Sequence, residues 1–243
     1  METVGYFGKK NNYIVILYIN EAMKKLLLYI LAAFNMLPLF AENTDENLIA
    51  KNTWIIRANA GSAFANRVGT GESAWYSHVD KSSCGFQYGI DVLRYYNTYF
   101  GYGITFRHYM HNLSSIGNNG TSLKEDIHIL YVAPQFSNVE EDFLFKGIIS
   151  NIDLGIGYAR YINHGNVGGN QKYSAPASGL GVNLNLGLEY KFSKSVGFKI
   201  SISGEYYYFK NMHKEEYTAN PFDKRSKLSM FTVIPQIGLS YHL

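Results

Sequence analysis

From Leu180 to Tyr190 every second residue is apolar: Leu180, Val182, Leu184, Leu186, Leu188 and Tyr190. Between them stand Gly181, Asn183, Asn185, Gly187 and Glu189. Successive side chains of a β-strand point to opposite faces, so a period of two marks a strand with one apolar and one polar face. A helix needs apolar positions three and four apart, which this segment lacks. Phe100, Tyr102, Ile104 and Phe106 repeat the pattern against Gly101, Gly103, Thr105 and Arg107. Ile152, Leu154, Ile156 and Tyr158 do so against Asn151, Asp153, Gly155 and Gly157. Phe231, Val233, Ile237 and Leu239 oppose Thr232, Gln236, Gly238 and Ser240.

Eight such segments are predicted, over about 52–66, 84–97, 98–111, 125–137, 145–161, 178–192, 196–210 and 227–243. In the fourth, both Ile127/Ile129/Tyr131 and Leu130/Val132/Phe136 qualify as the apolar face. The second set is assigned outward, because Gln135 then points inward. Pro134 and Pro235 each precede a glutamine on the other parity, and each predicts a β-bulge, since proline cannot donate to a ladder. The connections alternate in length. Asn97-Thr98, Asn138 to Asp142 and Ser193 to Ser195 are short, whereas 67–83, 112–124, 162–177 and 211–226 read as long polar loops.

Alternation alone leaves the direction of the apolar face open. Turned inward, it gives a soluble lipocalin-like carrier; turned outward, a membrane barrel. Composition favours the second. Only 17% of residues are charged, against about a quarter in average proteins. The mean hydropathy of −0.14 fits neither a helical membrane bundle nor a disordered chain. A net charge of +3 gives no nucleic-acid-binding tail. The polar faces carry mostly Gly, Asn, Ser and Thr, with single charges at Asp91, Arg107, Asp153, Glu189, Lys199 and Glu205. These six form a candidate charge network inside a narrow lumen, where buried charges need partners. Tyr95, Tyr96, Tyr99 and Phe100, then Tyr190 and Phe192, then Tyr206 to Phe209, cluster toward strand ends as membrane-interface girdles do.

Met23 to Ala41 has the layout of a secretory signal peptide: Lys24 and Lys25, an apolar run, Pro38, and a small residue at Ala41. Residues 1–22 then read as an upstream start artefact, 42–51 as a short periplasmic segment and 52–243 as the barrel domain. Cys84, the only cysteine, allows no intramolecular disulfide and reads as a small buried hydrophobe.

Signal peptide, eight alternating strands, short turns opposite long loops, and a final strand ending in Tyr241 and Leu243 together resemble the small Gram-negative outer-membrane β-barrel proteins of OmpA/OmpX type. Strands such as NIDLGIGYARY (151–161) and VIPQIGLSYHL (233–243) are similar to those of the outer membrane protein β-barrel domain. The resemblance implies an eight-stranded antiparallel up-and-down transmembrane barrel in the cell outer membrane. It implies a C-terminal insertion signal at Tyr241 and Leu243, the terminal Leu standing where Phe is commoner. It further implies the barrel-insertion machinery, periplasmic chaperones, membrane lipid and lipopolysaccharide as partners, a monomeric state, and no cofactor. The expected role is structural and surface-exposed, with four long extracellular loops and no catalysis.

Alternatives are a lipid-modifying enzyme, a narrow pore or carrier, and the soluble barrel. His108 and His111 fall on opposite faces of one strand and cannot chelate one metal together. Ser240 and His242 share the inward parity, without an identifiable acid. Gly165, Gly168 and Gly169 sit in a predicted loop and form no phosphate cradle. His78, His164 and His213 fall in loops, and so do the charge runs MHKEEY (212–217) and DKRSK (223–227). Lys224, Arg225 and Lys227 of the second run are candidates for lipopolysaccharide phosphates.

Overall fold

The computed structural model describes residues 53–67, 83–116, 122–143, 146–169, 171–212 and 226–243. The signal peptide, the upstream 1–22 and the 42–51 segment lie outside them, as do His78, His213, Lys224 and Arg225.

Among the described residues nine strands follow one another: β1 (Trp54–Arg67), β2 (Ser83–Tyr95), β3 (Phe100–Ile116), β4 (Ser122–Glu141), β5 (Ile148–Val167), β6 (Gln171–Ser174), β7 (Ala177–Lys191), β8 (Val196–Met212) and β9 (Ser226–His242). All pairings are antiparallel, and β4–β5 and β1–β9 pairing closes the sheet. The short β6 is not an extra stave. It pairs with β5 in the register that β7 continues: Val167 faces Gln171, His164 faces Ser174, and Tyr161 faces Ala177. Pro176 lies between them and has no N–H to donate, so one long stave is read as two. The barrel therefore has eight staves, as the alternation predicts.

Closure leaves no unpaired edge, and every backbone polar group can find a partner within the sheet. The described short turns, 96–99 and 192–195, lie at the same end as Thr53 and Leu243. Leu243 N donates to Trp54 O at 2.9 Å, and Tyr95 N to Thr53 O at 2.9 Å.

At the opposite end the structure corrects the loop assignments. The predicted loops 112–124 and 162–177 are mostly strand. β3 and β4 stay paired up to Ile116 and Ser122. β5 turns directly into β6 through Gly168 and Gly169, whose φ angles of 63° and 84° suit glycine. His164 and Gly165 belong to β5 rather than to a loop. The other two connections, 68–82 and 213–225, lie outside the described residues.

The two prolines also depart from expectation. The register on both sides of Pro134 is continuous, with Val132 opposite Tyr158 and Gln135 opposite Gly155. The same holds at Pro235, with Gly61 opposite Gln236 and Phe64 opposite Val233. Neither proline makes a bulge. Each interrupts the ladder on one flank and stays aligned on the other, with Ile104 and Ile202 respectively. The backbones pack closely at Pro235: a Cβ on Gly61 would stand 2.0 Å from Pro235 O, a space that only glycine leaves free. The one register shift of β8–β9 falls instead between Phe209 and Met212.

Candidate functional site

Parity decides which residues meet inside the bore. Leu180, Val182, Leu184 and Leu186 are exposed on the outside, as are Ile152, Leu154, Ile156, Tyr158, Ile237 and Leu239. Leu130, Val132 and Phe136 of β4 face outward while Gln135 is buried, as the sequence assigns. The inward residues pack the bore in three layers.

Nearest the short turns lies a small apolar layer of Ile55, Leu93, Tyr95, Val139 and Ile149. The next layer is polar and charged. Asp153 is its hub and accepts hydrogen bonds from five strands. Ser137 Oγ donates at 2.5 Å, Asn151 Nδ2 at 2.6 Å, Lys199 Nζ at 3.2 Å, Arg57 Nη1 at 3.3 Å and Asn185 Nδ2 at 3.4 Å. Asp91 holds Arg107 Nη1 at 2.6 Å, Thr105 Oγ1 at 2.7 Å and Asn59 Nδ2 at 3.0 Å. Glu189 stands opposite Lys199 in the ladder, yet Lys199 turns to Asp153. Glu189 instead takes Ser240 Oγ at 2.6 Å, His242 Nε2 at 2.5 Å and Arg57 Nε at 3.5 Å. Glu205 has neutral donors: Gln87 Nε2 at 2.7 Å, Ser203 Oγ at 3.4 Å, and Tyr207 Oη in a short contact. All six charged residues singled out in the sequence lie in this layer at 0% exposure, but not as one chain of ion pairs. Arg57, which sequence reasoning missed, joins Asp153 to Glu189.

Ser240 and His242 do have an acidic neighbour. Both reach the same oxygen of Glu189. In a nucleophilic triad the histidine stands between serine and acid and takes the serine's proton. Here the acid stands between them, so His242 is not placed to take the Ser240 proton, and the trio is not arranged as such a triad.

The third layer is apolar again. Tyr109, Ile127, Ile129, Tyr131, Tyr161, Tyr207, Phe209, Leu228, Met230 and Ile234 form its core. Tyr131 and Tyr207 meet edge to face at 5.8 Å, and Tyr207 stacks on Phe209 at 6.0 Å. This layer corrects the expected uniformly polar lumen. It also takes two of the aromatics assigned to a girdle, since Tyr207 and Phe209 are buried whereas Tyr206 and Tyr208 face out. Tyr95 likewise points inward.

Around the same height the outer face turns polar. Above Leu130, β4 presents His128, Asp126 and Lys124; above Tyr158, β5 presents Arg160, Ile162, His164 and Asn166; above Tyr208, β8 presents Lys210. Along β4, β5 and β8 the two faces therefore exchange character: an apolar outside surrounds the charged layer, and a mainly polar outside, Ile162 excepted, surrounds the upper apolar layer, where Asn163 and Glu125 are a buried polar pair. An apolar exterior around a polar, filled interior is an arrangement for lipid. The fold is that of a small outer-membrane β-barrel.

The comparison with the solved structure of OprG agrees on the fold. The outer membrane protein OprG of Pseudomonas aeruginosa aligns with a TM-score of 0.56 at 13% identity, over 82% of this chain and 99% of that one. Neisserial surface protein A aligns with a TM-score of 0.47 at 11% identity, over 79% and 99%. The outer membrane protease OmpT of Escherichia coli aligns with a TM-score of 0.47 at 6% identity, over 79% and 97%. No family model matches the chain, and no curated protein matches it by sequence.

Tyr241 and Leu243 both face outward on the closing strand and are exposed. Cys84 is exposed on the outer face, not buried as expected, because its parity is that of Phe86 and Tyr88. His108 and His111 do fall on opposite faces. His108 nevertheless meets a histidine of the next strand, His128, across 3.1 Å. Among the described residues, no group of three or more His, Cys, Asp and Glu is placed to hold a metal ion.

Proposed function

We propose that this chain is an integral outer-membrane protein with a structural role at the cell surface, a filled bore and no catalytic activity. What carries the reading is the inversion of sidedness along β4, β5 and β8. The outward apolar stretch of β8, Phe198 to Tyr208, has about the 9–11 residues that a tilted strand needs to cross the hydrocarbon. Above it the barrel continues as a water-exposed stub with its own apolar core. The stub holds the extracellular connections clear of the lipid headgroups.

Residues 23–41 act as the export signal in this reading, with translation starting at Met23. Tyr241 and Leu243 present the aromatic and hydrophobic groups read by the barrel-insertion machinery. The barrel inserts as a monomer after passage with periplasmic chaperones, and its outer surface meets lipid and lipopolysaccharide. The filled interior favours a scaffold over a pore. Buried Arg57, Arg107, Tyr207 and Phe209 occupy the space that a solute path would need.

The test is fractionation combined with surface proteolysis. The protein is expected in the outer-membrane fraction, migrating faster on gels unboiled than boiled, and cleaved only in residues 68–82 or 213–225 in intact cells. Recovery as a soluble periplasmic protein contradicts the reading. Truncation of Tyr241 to Leu243 is expected to abolish the heat-modifiable form.

A further inference from the structure

Where the outer apolar band ends, four side chains from three strands form a row. Tyr88 Oη lies 2.7 Å from His108 Nδ1, His108 Nε2 lies 3.1 Å from His128 Nδ1, and His128 Nε2 lies 3.2 Å from Asp126 Oδ1. The ladder sets His108 opposite Leu130 and His128 opposite Met110, so the two histidines are diagonal neighbours on one face. Their ring centroids stand 5.3 Å apart with planes at 28°. With nitrogens 3.1 Å apart, that separation means the rings meet end to end, nitrogen to nitrogen.

An ionised carboxylate only accepts hydrogen bonds, so the neutral His128 ring carries its proton on Nε2, toward Asp126, and presents a lone pair at Nδ1. The His108 proton has two places. On Nε2 it is donated to His128; on Nδ1 it is donated to Tyr88 Oη. In the second form two bare imidazole nitrogens face each other, each ring held from behind by an oxygen. Two nitrogens bound cis to one metal at about 2.0–2.1 Å stand roughly 3 Å apart, so the spacing fits, while each ring must turn by about 45° from its present end-to-end direction to aim its lone pair at a shared ion. A ring nitrogen backed by a carboxylate is the usual outer-shell support of a metal-ligating histidine.

We propose that His108 and His128 form a binding site for a divalent transition metal, Cu2+ before Ni2+ or Zn2+, on the outer face of the barrel. Imidazole suits these ions, and copper leads the affinity order. Water fills the remaining coordination positions. On loading, the His108 proton moves from Nε2 to Nδ1, and the Tyr88 hydroxyl turns from donor to acceptor. Both rings pivot toward the shared ion, which their partial exposure permits.

The untagged protein, folded in detergent, is titrated with CuCl2 by calorimetry and by electron paramagnetic resonance. One equivalent is expected, with nitrogen couplings from two imidazoles. His108→Ala and His128→Ala should each weaken binding at least about tenfold, and Asp126→Asn about tenfold. His164→Ala removes the outward histidine opposite Asp126 and should leave the affinity within about threefold. Heat-modifiable migration verifies that each variant is folded. The absence of a saturable equivalent overturns the site, as does binding that survives both histidine substitutions. A loss with His164→Ala equal to that with His128→Ala also overturns it.

Discussion

The lower and upper halves of this barrel fill the same bore by opposite means. Below, around Asp153 and Asp91, the interior is a layer of buried charges that face one another across the lumen. Above, around Tyr207 and Phe209, it is an apolar core like that of a soluble protein. The difference follows from what surrounds each half. Where lipid covers the outside, the outer parity must be apolar, and polar residues are left for the inside. Where water covers the outside, burial of apolar surface can again stabilise the interior. One chain of alternating strands satisfies both solvents by exchanging the chemistry of its two faces partway up.

The two halves should fail differently. The largest effect is expected from Asp153→Ala. It leaves Arg57 and Lys199 buried without their shared carboxylate, a loss of about 3–5 kcal/mol. Urea unfolding in vesicles checks it. A loss below about 1 kcal/mol would mean that the lower layer is wet enough to screen its charges. Phe209→Ala tests the upper half. A cavity among Tyr161, Tyr207 and Phe209 is expected to cost about 3 kcal/mol, near the lower end for aromatic truncation. The same titration reads it, and the cost should be insensitive to salt.

Arginine on the outer face separates the halves more sharply. Leu184→Arg, in the middle of the band, is expected to destabilise by about 2–4 kcal/mol. Asn166→Arg, above the band on β5, should cost about 0–1 kcal/mol. Equal costs would erase the boundary. The smallest effect is expected from Pro134→Ala. The register is already unbroken there, so the change adds one backbone donor and should shift stability by no more than about 1 kcal/mol.

The inversion explains what the sequence displayed and what it hid. In β4 both parities qualify as apolar because both are, at different heights: Ile127, Ile129 and Tyr131 belong to the upper interior, Leu130, Val132 and Phe136 to the lower exterior. Strand number and the outward face were legible from period two. Strand length was not, since the upper continuations of β3, β4 and β5 are as polar outside as loops are, as in Asn112, Lys124 and Asn166. Glycines added to that impression, though Gly168 and Gly169 mark a turn of a few residues. The six lumen charges were visible as isolated charges on the polar parity. Arg57 escaped because it shares its parity with Ile55, which makes that face look mixed. The meeting of Glu189 with Ser240 and His242 joins β7 to β9, which are not neighbours, and only the curvature of a closed sheet brings them together. His108 and His128 lie on adjacent strands of one hairpin, but their contact depends on a register that the sequence leaves open.

The inversion itself is open to one direct measurement. Cys84 is replaced by Ser, and spin labels are placed singly at residues 152, 154, 156, 160, 164 and 166 along the outer face of β5 in lipid vesicles. Accessibility to oxygen, which partitions into lipid, is compared with accessibility to a water-soluble nickel chelate. Labels at 152, 154 and 156 should favour oxygen, and labels at 160, 164 and 166 the nickel chelate, with the crossover near Tyr158. Uniform access of the nickel chelate to all six positions would contradict a lipid-embedded lower half. Uniform oxygen preference would contradict a water-exposed upper half.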